Sequence, residues 1–359
     1  MLDTIYRNLI HTYLNMGLAP IPMKFKSKQP SIEGWTTRQI GIQEIEEYFI
    51  EPTNIGIVTG KPSWTSWGCI DLDIDDPNAL KFAPHLLPET DCIFGRASKP
   101  RSHWVYRVRH GGKRLSFSTD HMIVEVRGNG CCTVFPPSVH ESGERIEFET
   151  PDYFIAAFST FAELTRAATK IAIATVVHPY WSEESHSRHA LALAVAAFLA
   201  RRGWKAEDVS NLVGAIATEA NDDELEDRLR CVDDTFAAYA QGRPITGDNE
   251  LAGLIGPDLA SHIEKWLSGK KPSKEKKKST TGNSSSSGNG SIDITTDAAA
   301  ADAFASAFKD RLLYCNAQWF YKEVQVLEPI PVEYIQGLAK HFSRITSGNS
   351  QRDLSHCPR

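Results

Sequence analysis

Residues 69–74, Cys69-Ile70-Asp71-Leu72-Asp73-Ile74, admit few conformations and fewer surroundings. Alternating apolar and acidic residues have the period of a strand, whose successive side chains point to opposite faces. As a strand, the segment sends Ile70, Leu72 and Ile74 into a core and leaves Asp71 and Asp73 together on the other face. Two carboxylates held side by side repel, so they need a cation between them or a raised pKa. A hard divalent metal with oxygen ligands meets that need. The competing reading is a strand end running into the acidic turn Asp75-Asp76-Pro77-Asn78, because one Asp-x-Asp is expected by chance about once in a chain this long.

Two further segments bear on the choice. Val124-Glu125-Val126-Arg127 reads as a second strand, with Glu125 and Arg127 on its polar face and Gly128-Asn129-Gly130 turning after it. Ser102-His103 opens a third, with His103, Val105, Arg107 and Arg109 on one face and Trp104, Tyr106 and Val108 on the other. That strand lies in an island, residues 95–114, with seven Lys/Arg, two His and no acid. Three acids beside Arg, Lys and His suit a nucleoside triphosphate with two divalent ions. Acids of this kind hold metals roughly 3.5–4 Å apart while basic groups take the phosphate charge. Taken singly, Glu125 reads equally as a cross-strand ion-pair partner, His103 as a structural histidine and the basic run as a solvated face.

The rest of the chain supplies the setting. Residues 3–16 carry apolar residues at helical spacing before Gly17, and residues 18–150 alternate short β-like runs with Gly, Pro and Asn. From about 185 to 267 the pattern is helical, with stops at Gly203 and Gly242. Residues 219–234 hold eight acids and two arginines, and 270–278 hold six lysines and one glutamate. The Lys-rich, then Ser/Gly/Asn-rich stretch 269–291 has nothing to bury and reads as a disordered linker. Another helix is expected over 297–315. The 359 residues predict two or three domains, and a net charge of -6 confines any polyanion site to a local patch. No apolar run approaches a membrane span, and the N-terminus does not read as a signal peptide. Seven cysteines, odd in number and without a Cys-x-x-Cys pair, argue for reduced thiols in a cytoplasmic protein and against a conventional zinc site.

The order Asp-x-Asp, then Ser102-His103, then a hydrophobic residue followed by an acid resembles the three motifs of the archaeo-eukaryotic primase superfamily. Residues 1 to about 160 more closely resemble the bifunctional primase-polymerase (Prim-Pol) N-terminal domain of plasmid, phage and prophage replication proteins. The matching text is Gly17-Leu18-Ala19-Pro20-Ile21-Pro22, Lys28-Gln29-Pro30 with Trp35, Asn54-Ile55-Gly56-Ile57-Val58-Thr59-Gly60, Asp71-Leu72-Asp73, Glu125-Val126-Arg127-Gly128, and Pro136-Pro137-Ser138-Val139-His140 with Gly143. One departure is Lys99-Pro100-Arg101 before Ser102, where members often carry a glycine-rich approach.

The resemblance implies an α+β fold: a primase-like catalytic domain on a mixed sheet over 1–165, then a small all-α module over 178–268. It implies Asp71, Asp73 and Glu125 as catalytic acids binding two Mg2+ or Mn2+ ions, and His103 on the phosphates of the incoming nucleotide. Ser102, Arg96, Lys99, Arg101, Arg107 and Arg127 are candidates for triphosphate or template contacts, with Lys28, Ser138 and His140 further candidates near the nucleotide. The activity implied is nucleotidyl transfer from dNTP or NTP on a single-stranded DNA template, making and extending primers for a mobile element. The helical module is expected to grasp template or initiating nucleotide, or simply to pack. Residues 292–359 resemble the start of a region preceding a helicase, so a helicase in the same or a neighbouring chain is an expected partner. The chain itself has no phosphate-binding loop: Gly56-Ile57-Val58-Thr59-Gly60-Lys61-Pro62 is one residue short and ends in Pro. It reads as a truncated relative or as part of a longer protein. A two-metal nuclease and a non-catalytic origin-binding module are the alternatives.

Overall fold

The computed structural model describes residues 4–65, 67–150, 154–181 and 187–268, and the backbone of three strands between 312 and 330. It divides into two units, Met1–Ser273 and Lys274–Arg359. No helix among the described residues is long and apolar enough to cross a membrane.

The first unit opens with α1 (Thr4–Asn15), β1 (Pro20–Lys24), α2 (Ile45–Tyr48), β2 (Thr53–Val58), β3 (Gly68–Ile74) and α3 (Pro77–Leu86). There follow β4 (Ile93–Arg96), β5 (Lys99–Val108), β6 (Leu115–Ser118), β7 (Met122–Arg127), β8 (Cys132–Phe135), β9 (Glu147–Phe148) and β10 (Ala157–Ser159). Six helices complete it: α4 (Phe161–Val177), α5 (Ser187–Arg201), α6 (Ala206–Glu219), α7 (Leu225–Ala240), α8 (Asp248–Ile255) and α9 (Pro257–Ser268). The architecture is α+β, with antiparallel sheets and helices followed by an all-helical region.

The main sheet has the order β6-β7-β3-β5-β4-β9, with β10 parallel to β5; β1, β2 and β8 form a smaller antiparallel sheet. The alternation in β3 sorts the main sheet's two faces. Ile70, Leu72 and Ile74 join Trp104, Tyr106, Val124 and Val126 in a core shared with α3 and α4. The opposite face carries Cys69, Val105 and Phe94 into a second core with Tyr13, Ile55, Ile57 and Phe135, beneath α1 and the small sheet. The stretch 75–78 is a helix start rather than a loose acidic turn. Asp76 caps α3 by accepting from the Asn78 amide at 2.6 Å, and Pro77 occupies the first helical position.

Helix α4 starts at a capping box, in which Thr160 and Glu163 accept from each other's backbone amides at 3.1 and 2.9 Å. Its apolar side lies in the core that also holds the β3 and β7 residues and, on α5, α6 and α7, Leu191, Val213 and Val232. The boundary expected at 165 falls inside this helix. The helical region has its own polar anchor in Asp222, which accepts from Trp181 Nε1 at 2.9 Å and from Arg228 Nε at 3.0 Å. Burial raises the Asp222 pKa, but bonds from Arg228, the Glu224 amide and Trp181 outweigh it and hold the carboxyl below its ordinary value. A depressed folded pKa contributes stability that is complete above the unfolded value, about 3.9, and is lost as pH falls through the folded one. The difference in Tm between the native chain and Asp222→Asn is therefore expected to be full above about pH 4 and to shrink below it. Thermal melts over a pH series check this.

In the second unit β11 (Leu312–Cys315), β12 (Gln318–Glu323) and β13 (Val326–Ile330) form an antiparallel meander. The helix expected over 297–315 is thus corrected at its end: residues 312–315 pair with β12 as a strand. The remainder of that helix, and the linker expected over 269–291, lie outside the described residues.

Candidate active site

Register brings the acids together. Asp73 of β3 pairs with His103 of β5 on one side and with Glu125 of β7 on the other. One row along, Asp71 lies between Val105 and Arg127. Directly paired residues present side chains to the same face, so the three acids, His103 and Arg127 form one polar cluster. They lie on the face turned toward the small sheet.

Arg127 is the hub of the cluster. Its Nη2 pairs with Asp73, its Nε donates to Glu125 Oε2 at 2.9 Å, and its Nη1 lies 3.7 Å from Asp71 Oδ2. Nη1 also donates to Thr133 Oγ1 on β8 at 3.2 Å, linking the two sheets. Burial would lower the Arg127 pKa, but Asp73, Asp71 and Glu125 drive it above its ordinary value. His103 Nδ1 sits 3.0 Å from Asp71 Oδ2, and Nε2 lies 3.8 Å from Asp73 Oδ1. The imidazole stacks on Phe94 at 4.6 Å, which fixes the plane of the ring. Burial raises the Asp73 pKa, yet the charges of His103, Arg127, Lys99 and Lys28 bring it below the usual carboxylate value.

Three members of this cluster border a cleft of about 390 Å³, while Asp71 and Asp73 are buried beside them and do not line it. His103, Glu125 and Arg127 face it from the main sheet, Cys132 and Val134 from β8, and Lys28 and Trp35 from the segment after β1. Arg96 and His140 close one side, 3.4 Å apart from Nη1 to Nε2. His140 is presented there because the chain before it is tied down. The Asn54 side chain donates to the Val139 carbonyl at 2.7 Å and accepts from its amide at 3.0 Å. Burial, Arg96 and Lys28 lower the His140 pKa from its ordinary value. Behind Arg96, Glu144 is held to about 2 by hydrogen bonds from the Ser98 and Ser142 side chains.

Other candidates lie elsewhere. Ser138 is fully buried and spent on β2, accepting from the Ile55 amide at 2.8 Å and donating to its carbonyl at 3.2 Å. Arg101 pairs with Glu149 and lies over Trp104, outside the cleft lining. Arg107 has the expected face but two rows from Asp73, where its buried guanidinium donates to the Met16 carbonyl at 2.6 Å. Ser102 borders the cleft, but its hydroxyl donates to the Lys99 carbonyl at 3.2 Å, within its own strand. Lys99 reaches Asp75 at 2.7 Å and Asp73 at 4.0 Å.

Arg114 is the cleft residue that pattern reading passes over: it lines the cleft and pairs with Glu125. It stands just before β6, and a close backbone approach delivers it. A Cβ on Gly128 would stand 2.0 Å from the Gly112 carbonyl oxygen, so the turn after β7 can lie against residues 112–113. The signal in the sequence was its place at the end of the acid-free island.

The donor set of the cluster is carboxylate oxygen from Asp71, Asp73 and Glu125, all buried, with arginine and histidine meeting their charge. Hard oxygen donors of this kind fit Mg2+ or Mn2+. Against models of known families, residues 10–168 match the one described as bifunctional DNA primase/polymerase, N-terminal (Prim-Pol). No curated protein matches the chain.

Proposed function

Residues 10–168 belong to the Prim-Pol family of primase/polymerase nucleotidyltransferases, and from that premise we propose that this chain makes and extends primers on single-stranded DNA. In this reading it serves the replication of a plasmid, phage or other mobile element and works beside a helicase. The observation that carries it is the row Glu125-Asp73-His103, with Asp71 and Arg127 in the next row, whose Glu125, His103 and Arg127 line a cleft shared with Arg96, Lys28 and Arg114. The oxygen-only acids suit two divalent cations, and the basic rim suits a triphosphate.

Asp71, Asp73 and Glu125 would hold the metal ions, which when bound would supply activation of the attacking hydroxyl and charge for the leaving pyrophosphate. The chain's own part is positioning and charge. Asp71 orients His103 through Nδ1, and Phe94 holds the ring flat, so the imidazole meets the phosphates with little freedom left to lose. Arg96 and Lys28 add positive charge to the cleft, and His140 adds a hydrogen-bonding ring. Arg127 keeps three like charges together on adjacent strands.

The test is incubation of the chain with circular single-stranded DNA, labelled dNTPs or NTPs, and Mg2+ or Mn2+. Template-dependent oligonucleotides are expected; shortening of an added primer would instead favour the hydrolytic alternative. His103→Ala is expected to raise the apparent KM for nucleotide about tenfold, about 1.4 kcal/mol. Its thermal melt should stay cooperative. Steady-state nucleotide titrations check the first point, and an unchanged KM would return His103 to a structural role.

A further inference from the structure

We propose that His189, Asp227 and Cys231 form a second metal site, for a zinc-like ion, in the helical region. His189 lies in the first turn of α5, and Asp227 and Cys231 stand four residues apart on one face of α7, which packs along α5. His189 Nδ1 is 3.4 Å from Asp227 Oδ2 and 3.4 Å from Cys231 Sγ. The three ligand atoms all lie within 4.8 Å of one another. Zinc bonds of about 2.0 Å to nitrogen or oxygen and about 2.3 Å to sulfur give tetrahedral edges of about 3.3 Å for N···O and about 3.5 Å for N···S. The N···O and N···S edges are close to these lengths, and the third, from carboxylate oxygen to sulfur, lies within 4.8 Å.

The donor chemistry separates this site from the acids of the cleft. Nitrogen, sulfur and one carboxylate oxygen select zinc or cobalt over Mg2+. The surroundings also favour a cation, since residues 219–234 carry a net charge of -6. Two arginines compete for Asp227: Arg228 Nη1 at 3.1 Å from Oδ2, and Arg230 Nη1 at 3.8 Å from Oδ1. Arg228 keeps Asp222 and Glu224 if Asp227 turns to a metal, and Arg230 is largely exposed. Burial raises the Cys231 thiol pKa, so without metal the group is a thiol beside an imidazole. Binding forms the S–metal bond and releases the thiol proton to solvent. The site has no Cys-x-x-Cys signature because its ligands come from two helices, with Asp227 38 positions after His189. Three protein ligands leave the fourth tetrahedral position for water or another small ligand.

The test uses the full chain, stripped with a chelator and titrated with Co2+. A thiolate-to-cobalt charge-transfer band with tetrahedral d–d bands is expected, saturating at one equivalent, displaced by Zn2+ and unaffected by millimolar Mg2+. Cys231→Ser should abolish the band. His189→Ala and Asp227→Asn should each lower zinc affinity at least about tenfold. A double variant, Cys131→Ser with Cys132→Ser, should keep the band. Zn2+ should raise the Tm of the native chain and not that of Cys231→Ser. Absence of the band in the native chain would leave only a thiol–imidazole hydrogen bond and overturn the proposal. Persistence of the band in a folded Cys231→Ser would overturn it as well.

Discussion

Asp71→Asn and Asp73→Asn are each expected to lower template-directed nucleotide incorporation by about a thousandfold or more, about 4 kcal/mol of transition-state stabilisation. Asparagine keeps the volume and one carbonyl oxygen but removes the charge a divalent ion needs. Mn2+ affinity measured by calorimetry is expected to fall in parallel. Asparagine suits this test better than alanine because both acids are buried against cationic partners. Truncating Asp71 to alanine would also remove the oxygen that meets His103 Nδ1 and leave a void beside Arg127, costs that asparagine avoids. A loss of activity could then be a loss of fold. Incorporation at the native rate by either asparagine variant, with a native melt, would end the two-metal reading of the cleft.

The face of each strand residue was legible in the sequence, but its neighbours were not. Period two placed Asp71 and Asp73 opposite Ile70 and Leu72, and placed His103 and Arg107 on a common face; the structure has both arrangements. Register is set by turns and by core packing, and neither appears in a local pattern. His103 consequently sits beside Asp73, while Arg107, four residues along the same strand, sits beside Cys69 and serves the Met16 carbonyl. Ser138 illustrates the same limit. Its motif marks a segment close to the cleft, yet its hydroxyl ties that segment to β2 and leaves His140 to face inward. Arg127 looked like one cation among several. Only the pairing of β7 with β3 makes it the counter-charge of three carboxylates. Helix α4 was missed for a different reason: it is buried on most sides, so it lacks the polar stripe by which an amphipathic helix is recognised.

That helix sets the second large effect. A chain ended at residue 165 is expected not to fold, although every acid of the cleft lies within it. Of the α4 residues in the core, such a chain keeps Leu164 and loses Ala167, Ala168, Ile171, Ala172, Ile173, Ala174, Val176 and Val177. Burial of one Ile or Val side chain contributes about 1.5–3 kcal/mol, so Ile171, Ile173, Val176 and Val177 together contribute about 6–12 kcal/mol. The whole stability of a domain is about 5–15 kcal/mol. The loss would also open to water the β3 and β7 side chains that position Asp71, Asp73 and Glu125 from behind: Ile70, Leu72, Val124 and Val126. Residues 1–268 keep the cover, because α4 is itself packed against α3 and α6. The measurement is a matched pair, 1–165 and 1–268, compared by soluble yield, near-ultraviolet circular dichroism and extension of a given primer. The longer chain should melt cooperatively and extend the primer, and the shorter should do neither. A cooperative melt from 1–165 would mean that the sheet holds its site without the helix, and that the catalytic residues belong to a smaller folding unit than the shared core indicates.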